Sequence, residues 1–556
     1  MDMRKNSIAE LSRSHAPADE LIPVDVSSPD TVADSGSAEL SLTADPGSAT
    51  APESIEALVR NVRSKGALLS VKNGRLHCQV TEDALTSGDI AALQESKDAI
   101  IALLERSSAA EVTQTPVARA RNDQIPLSLS QATQWSPNRI FLRATAFAKR
   151  IRGELNLKLF RGSLQDLIQR HEALRTRIVM VSGVPTQQVH DFLDHGLQEE
   201  DLTSLPEGLL DDAISKQIAQ CILQPIDLGK DPLFLFKLLK IRPAYHVLVV
   251  ATEHLISDGI SLQILWRDLL ALYVQKLTGG GSELPRIPVQ FPDYAVWQIK
   301  AHRQWSEQHG AAWADRFKDC RPARFPMQAT PSTTYRRGWG LAHVKIESVL
   351  KTEWQACCRK RRTTLPLSVL GVYAALLSRW CAVPEVVIQY LTNGRRSPDV
   401  ENTVGFFASS VYIRVRLHDS DTLADVMRRV IDDYWQSYEV RDFCHLGAEL
   451  LRPELSTLPS FNWIPKLQSS RPFLSETGSI SSEDVVFENP VFEAVEVDSD
   501  PALVLQEVGD EVHGSLAFPN RCFSKDVMER FLDNLLRFLK AMLTEPETRV
   551  SDIPLN

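Results

Sequence analysis

The hydrophobic pattern changes most sharply between residues 247 and 272. Val247-Leu248-Val249-Val250 is short, β-branched-rich and continuously apolar, which predicts a buried strand. Ile260, Leu262, Ile264, Leu265, Leu269 and Leu272 follow with helical spacing, so a helix comes next, capped by Asp258 or Ser261. The stretch between them, Glu253-His254-Leu255-Ile256-Ser257-Asp258-Gly259, is a strand-to-helix turn that aims one imidazole out of a rigid frame. Gly259 is expected to let the backbone bend into the helix.

The N-terminal third has a different texture. Ile55, Leu58 and Val62 share a helical face, and Leu68-Leu69-Ser70-Val71 and Leu76-His77-Cys78-Gln79-Val80 flank Lys72-Asn73-Gly74-Arg75. Asn-Gly between two apolar runs is a strong hairpin signal. Ile90, Leu93, Ile100, Ile101 and Leu104 then predict a second helix over Asp89–Leu104, so residues 53–106 read as a helix-hairpin-helix unit. Residues 1–52, rich in Ser, Ala, Pro and Asp from about residue 16, bury too little to offset ordering entropy and predict a disordered tail. Residues 107–124 are polar and unpatterned and predict a linker.

Farther on, Leu164–Ile168, Leu365–Trp380, Leu423–Tyr434 and Val527–Leu543 read as helices, Val386–Tyr390 as a buried strand, and Val485–Leu516 as short β runs. The pattern is α/β, and domains are expected at 125–300 and 301–556.

Composition narrows the function. With 556 residues, 43% hydrophobic and 24% charged, the chain is an ordinary globular sequence. A formal charge of -10 and no basic stripe argue against nucleic acid as a partner. No apolar run has membrane-spanning length and Met1–His15 lack the apolar core of a secretory signal, so no membrane partner and a cytoplasmic location are expected. Eight cysteines without a Cys-x-x-Cys pair predict neither a metal site nor a redox motif.

The chemistry that the 253–259 turn can carry is base-assisted acyl transfer, because a neutral histidine takes a proton from an attacking amine or hydroxyl near neutral pH. As a bare pattern His-x-x-x-Asp-Gly is weak; at average residue usage it occurs by chance in roughly one chain in twenty of this length.

Context strengthens it. Arg170-His171-Glu172-Ala173-Leu174-Arg175-Thr176, then the histidine turn, then Phe291-Pro292-Asp293-Tyr294-Ala295-Val296-Trp297, then Val404-Gly405-Phe406-Phe407-Ala408 stand in the order and approximate spacing of the condensation domains of nonribosomal peptide synthetases, which the chain resembles from about residue 125 onward. The resemblance implies two chloramphenicol-acetyltransferase-like lobes in a V with a central tunnel, entered from opposite faces by carrier-borne donor and acceptor. It makes His254 the active histidine, Asp258 the loop-holding aspartate, and Arg175 the arginine that pairs with Asp258 in a buried ion pair. His171 is expected to be structural. Substrates would arrive on the phosphopantetheine of a partner carrier protein, with no covalently bound cofactor and no metal, and a monomer is expected.

Two departures stand out: Glu253 replaces the family's first histidine, and Ala408-Ser409-Ser410 replaces its Val-Asn-Thr. A carboxylate beside the base either raises the imidazole pKa or faces away.

Residues 53–106, with Leu85-Thr86, Lys97 and Leu103-Leu104 on the helix after the hairpin, resemble the β-hairpin docking domains of megasynthase subunits. This implies capture of a short, often acidic tail of an upstream subunit, with Lys72, Arg75 and Arg63 as contacting cations and an open hairpin edge for an incoming strand. The layout, a free-standing condensation enzyme behind a docking module, is similar to the chain-releasing enzyme of enacyloxin-type assembly lines. The acceptor is then a small amine or alcohol, or an amino acid on a second carrier. A coenzyme-A-dependent O-acyltransferase, an epimerisation domain and a catalytically silent carrier-binding platform are the alternatives. Heterocyclisation is disfavoured because the turn lacks Asp-x-x-x-x-Asp.

Overall fold

The computed structural model describes most of residues 115–556, the longest excepted segments being 327–338, 442–457 and 486–499; before residue 115 it describes chiefly 85–101 and the strands 22–23, 40–43, 68–72 and 75–80. Two six-stranded sheets dominate. In the first, the order is Gln198–Asp201, Phe234–Arg242, Tyr245–Thr252, Thr145–Arg152, Ser479–Asp484, Phe473–Leu474. In the second, it is Trp339–Ile346, Glu511–Pro519, Ala502–Val508, Ser460–Ile464, Glu385–Thr392, Ser409–Arg416.

The run expected at 247–251 is the core of the Tyr245–Thr252 strand, antiparallel to Phe234–Arg242 on one side and Thr145–Arg152 on the other. It is buried on both faces, which explains its unbroken apolar run. Val250 and Leu248 pack with the helices Leu157–Arg170 and Gly259–Thr278, whereas Val247, Val249 and Ala251 pack with Leu210–Leu223. The second sheet carries the helices Leu365–Cys381, Leu423–Glu439 and Lys525–Thr544. Leu365–Cys381 is buried almost all round, as a helix wedged among a sheet and other helices must be.

The lobes interlock more than a boundary at residue 300 allows. The Phe291–Phe317 helix runs through that boundary and packs its later part against Val387 and Tyr412 of the second sheet. Ser479–Asp484, late in the chain, pairs with Thr145–Arg152 in the first sheet, and Val485 joins that lobe's core. A strand's neighbour is set by where its open edge finds backbone partners, so sequence position does not decide the lobe.

The predicted linker also has structure near its end. Arg121 grips both carboxylate oxygens of Asp293, at 2.6 and 2.9 Å, and its Nε donates to Glu172 at 2.8 Å. The Arg119 amide donates to Asp293 as well, at 2.9 Å. Asp293 is almost wholly buried, so the strap supplies the cation a buried carboxylate requires.

In the N-terminal unit, Leu68–Lys72 and Arg75–Val80 pair antiparallel with Lys72 opposite Arg75. The second helix breaks at Ser96: Ser87–Glu95, capped by a Thr86–Asp89 capping box, is followed by a turn and a further helical stretch. Arg63, the Asn73-Gly74 turn and Leu103-Leu104 lie outside the described residues. The tail expected to be structureless contains two strands, Ile22–Pro23 and Leu40–Thr43, antiparallel to Arg75–Val80 on the edge away from Leu68–Lys72. Leu-Ser-Leu-Thr alternates as a strand does, and an edge with unpaired backbone groups gives it a partner.

Candidate active site

The site is built where the Tyr245–Thr252 strand stops. His254–Ile256 form a single 3-10 turn, and Glu253, the residue before it, folds its carboxylate back to accept the Leu255 amide at 2.8 Å. The Glu253 amide in turn donates to the Leu233 carbonyl at 2.6 Å. Glu253 is thus a cap for the turn, 1% exposed, which gives this departure from the family a structural role.

His254 is 4% exposed. Its Nδ1 lies 2.7 Å from the Ser257 carbonyl oxygen. A carbonyl only accepts, so Nδ1 carries the proton and the neutral ring's basic lone pair is on Nε2. The ring packs on Phe406, with centroids 4.4 Å apart and planes tilted by 41°. Ser257 is itself tied to Thr252, whose hydroxyl also donates to the Thr145 carbonyl. Gln131 donates to the Leu255 carbonyl at 2.7 Å, and the neighbouring Ser130 donates to the Ala408 carbonyl at 2.9 Å. Histidine rotamer and tautomer are both held before any substrate arrives.

Asp258 is fully buried and caps the Gly259–Thr278 helix, accepting the Ser261 amide and hydroxyl, each at 2.8 Å. Its cation is not Arg175. Arg395, from the second lobe, approaches end-on: Nη1 to Oδ2 at 2.8 Å and Nη2 to Oδ1 at 3.0 Å. The Phe407 amide donates to Oδ2 at 3.1 Å. Burial alone would push the Asp258 carboxyl up; the Arg395 charge and the Arg395 and Ser261 hydrogen bonds outweigh it and hold the group below the usual carboxylate range. Arg175 instead closes the end of the Leu157–Arg170 helix, donating to the carbonyls of Ile168, Gln169, His190 and Asp191. Its turn follows that helix directly, so the orphan carbonyls of the last helical turn are the partners within reach.

Two glycines make the inter-lobe contact possible. Gly394 has φ of +59°, and a Cβ there would sit 1.9 Å from the Phe407 carbonyl oxygen. A Cβ on Gly405 would lie 2.1 Å from the Phe291 ring. Gly259, by contrast, is the buried first residue of its helix and does not have a positive φ; glycine's left-handed freedom is not used there. Ser261 completes the clasp, its Oγ lying 2.8 Å from the Gly405 carbonyl oxygen as well as from Asp258 and accepting the Gly405 amide at 3.0 Å.

His171 lies elsewhere, in a buried polar cluster with Nε2 3.0 Å from Asp268. Burial holds His171 below its ordinary value. For Asp268, burial is outweighed by the His171 and Arg170 hydrogen bonds and by charge, and the carboxyl falls to about 2. Sequence reasoning therefore placed His254, Asp258 and Glu253 on one turn and missed Arg395, Gln131 and the Phe406 contact. The one local signal for Arg395 was its place in the Asn393-Gly394-Arg395 turn that follows the Glu385–Thr392 strand.

No group of three or more His, Cys, Asp or Glu side chains that could hold a metal is found among the described residues. No single helix among them is long and apolar enough to cross a membrane.

Residues 121–556 match the family model of the condensation domain, and residues 55–106 match that of the TubC N-terminal docking domain. The chain belongs to the condensation-domain family. A subunit of the linear gramicidin synthase of Brevibacillus parabrevis is 27% identical over 485 residues, 84% of this chain and 6% of that protein. Phosphinothricin tripeptide synthetase PhsC of Streptomyces viridochromogenes is 27% identical, with 84% of this chain covering 44% of that one. The chain thus spans only part of these relatives. Among solved structures, the condensation domain of chain release from the enacyloxin polyketide synthase superposes with a TM-score of 0.63 at 20% identity, over 88% of this chain and 97% of that one. The X-domain from teicoplanin biosynthesis gives 0.67 at 21% identity, covering 80% and 100%. The EpoB cyclization-docking bidomain of Sorangium cellulosum gives 0.66 at 18%, covering 89% and 99%. These likenesses establish the two-lobed fold.

Proposed function

We propose that the protein transfers an acyl or peptidyl group from the phosphopantetheine thioester of a carrier protein to an amine or hydroxyl acceptor, in assembly-line biosynthesis of a peptide or polyketide. The observation that carries this reading is His254 Nδ1 tied to the Ser257 carbonyl at 2.7 Å, which gives Nε2 the role of base. In the step, Nε2 takes the proton of the attacking amine or hydroxyl as the nucleophile bonds to the thioester carbonyl carbon. The tetrahedral oxyanion collapses, the C–S bond breaks, and the proton passes from the imidazolium to the leaving pantetheine thiolate. Atoms and charge balance, and no acyl-enzyme forms.

Asp258 acts on this reading as a support rather than a reactant, because both of its oxygens are taken by Arg395, Ser261 and Phe407. The ring is 4% exposed, so this reading requires a passage to Nε2 of the kind the family's central tunnel supplies. Residues 53–106 dock the C-terminal tail of an upstream subunit, with Lys72 and Arg75 flanking the hairpin turn and Arg63 as a further cation, and so raise the local donor concentration. The protein then works in the cytoplasm with a small acceptor or a second carrier.

A second reading, a carrier-binding platform without turnover, draws on Glu253 and on the ring's burial. Intact-mass analysis of a loaded upstream carrier incubated with the protein and candidate acceptors separates the two. Loss of the acyl mass with appearance of an ester or amide supports transfer; carrier binding with the acyl group retained supports the platform.

A further inference from the structure

We propose that Arg143 is an oxyanion-recognition site beside the His254 turn, taking a carboxylate or phosphate that one of the two substrates carries. The inference rests on the acyl-transfer reading and deepens it. Arg143 is 5% exposed, yet only Nη2 has a partner, the Pro232 carbonyl at 2.9 Å; Nε and Nη1 are buried without a hydrogen bond. Burial lowers its pKa, and Asp231, the carboxylate acting on it, forms no ion pair with it. Other buried cations meet a carboxylate or several carbonyls: Arg395 meets Asp258, Lys351 meets Glu507, Lys149 meets Asp484 and Arg175 meets four carbonyls. Arg395 too has its Nε without a hydrogen bond, but its charge is paired. An uncompensated buried guanidinium is costly. A chain keeps one where something else completes the fork.

Its place says what completes it. Arg143 lies two residues before Thr145, whose carbonyl accepts the Thr252 hydroxyl. Thr252 is bonded to Ser257, and Ser257 holds His254. On its other side, Pro232 precedes Leu233, whose carbonyl accepts the Glu253 amide. Both supports of the guanidinium are thus one residue or two from groups that fasten the histidine turn. The planar fork suits two oxygens of a carboxylate or phosphate. The sources that the reaction offers are an acceptor bearing a carboxylate, such as an amino or hydroxy acid, and the phosphate of the donor's pantetheine arm.

The test uses Arg143→Met and Arg143→Lys in the full chain. Transfer rates are compared for alanine against alaninamide and lactate against lactamide, and for a phosphopantetheine thioester against the pantetheine thioester of the same acyl group. A charged hydrogen-bonded pair corresponds to about 10- to 100-fold in kcat/KM. The wild type is expected to favour the anionic member of one pair by that factor, and Arg143→Met to lose the preference while retaining the rate on the neutral member; Arg143→Lys recovers part of it. The acceptor pairs and the thioester pair tell the two sources apart. Unchanged preferences in Arg143→Met overturn the inference. A readout independent of turnover accompanies it: lactate or phosphopantetheine raises the melting temperature of the wild type and not of Arg143→Met. If no transfer occurs but this shift is seen, the acyl-transfer reading fails and the anion site stands; if transfer occurs without either effect, the reverse holds. A melting temperature several degrees lower in Arg143→Met, with preferences intact, assigns Arg143 to the fold instead.

Discussion

Arg395→Met removes the cation that joins the second lobe to the histidine turn. Asp258 then keeps the Ser261 amide and hydroxyl and the Phe407 amide but loses two charged bonds of 2.8 and 3.0 Å, with both side chains at 3% exposure or less. Removing one partner of a buried pair costs about 3–5 kcal/mol. With an unfolding entropy near 2.1 cal/mol/K per residue over residues 121–556, that is a fall of about 3–6 °C in melting temperature. The pH dependence follows from the depressed carboxyl. In the wild type the pair's contribution is fully present above the unfolded carboxylate value, about 3.9, and is lost as pH falls through the lower folded value. In the variant burial dominates, so Asp258 takes up a proton at higher pH and the deficit shrinks on acidification. Thermal melts of wild type, Arg395→Met and Arg175→Met from pH 8 to pH 4 measure this. Arg175→Met, acting on helix-end carbonyls, should lower stability by an amount that does not follow Asp258. An unchanged melting temperature for Arg395→Met at pH 7, or a deficit that widens toward pH 4, would refute the reasoning.

Three further outcomes are expected. Gln131→Leu leaves the Leu255 carbonyl without its 2.7 Å donor and should cost about 1–3 kcal/mol while lowering kcat more than it changes KM, read from melts and steady-state rates. Gly405→Ala places a methyl 2.1 Å from Phe291, and overpacking of this kind costs about 1–3 kcal/mol or more; soluble yield and melting temperature should both drop, whereas Gly183→Ala, with nothing within 4 Å but φ of +83°, should show only the backbone penalty of about 1 kcal/mol. Deleting residues 1–106 should slow transfer at low concentrations of the upstream carrier and leave the rate unchanged at saturating carrier; equal rates at all concentrations would remove docking from the account.

Local features of the fold were legible because their causes are local. The β-branched run at 247–250 and the helical spacing from Ile260 identify the strand and helix, and Asp258 three residues before Ser261 is a cap that short-range chemistry dictates. The Arg395–Asp258 pair spans 137 residues, and no periodicity reports such a partner; Arg175 matched by residue type and was wrong because its turn faces helix-end carbonyls. Gly405 is required by the Phe291 ring, 114 positions away in sequence. The Ser479–Asp484 strand and the Arg119–Arg121 strap were illegible for a related reason: one is recruited by an open sheet edge and the other by a buried carboxylate, and polar sequence alone signals neither. Glu253 could be read only as a departure until its bond to the Leu255 amide gave it a role.

The most direct measurement of the central claim is the single-turnover rate of acyl transfer from a loaded carrier by wild type and His254→Ala, each shown folded by thermal melt. The account predicts that His254→Ala keeps its melting temperature within a few degrees and loses about 10²- to 10⁴-fold in rate. A folded His254→Ala that transfers the acyl group as fast as the wild type would contradict it.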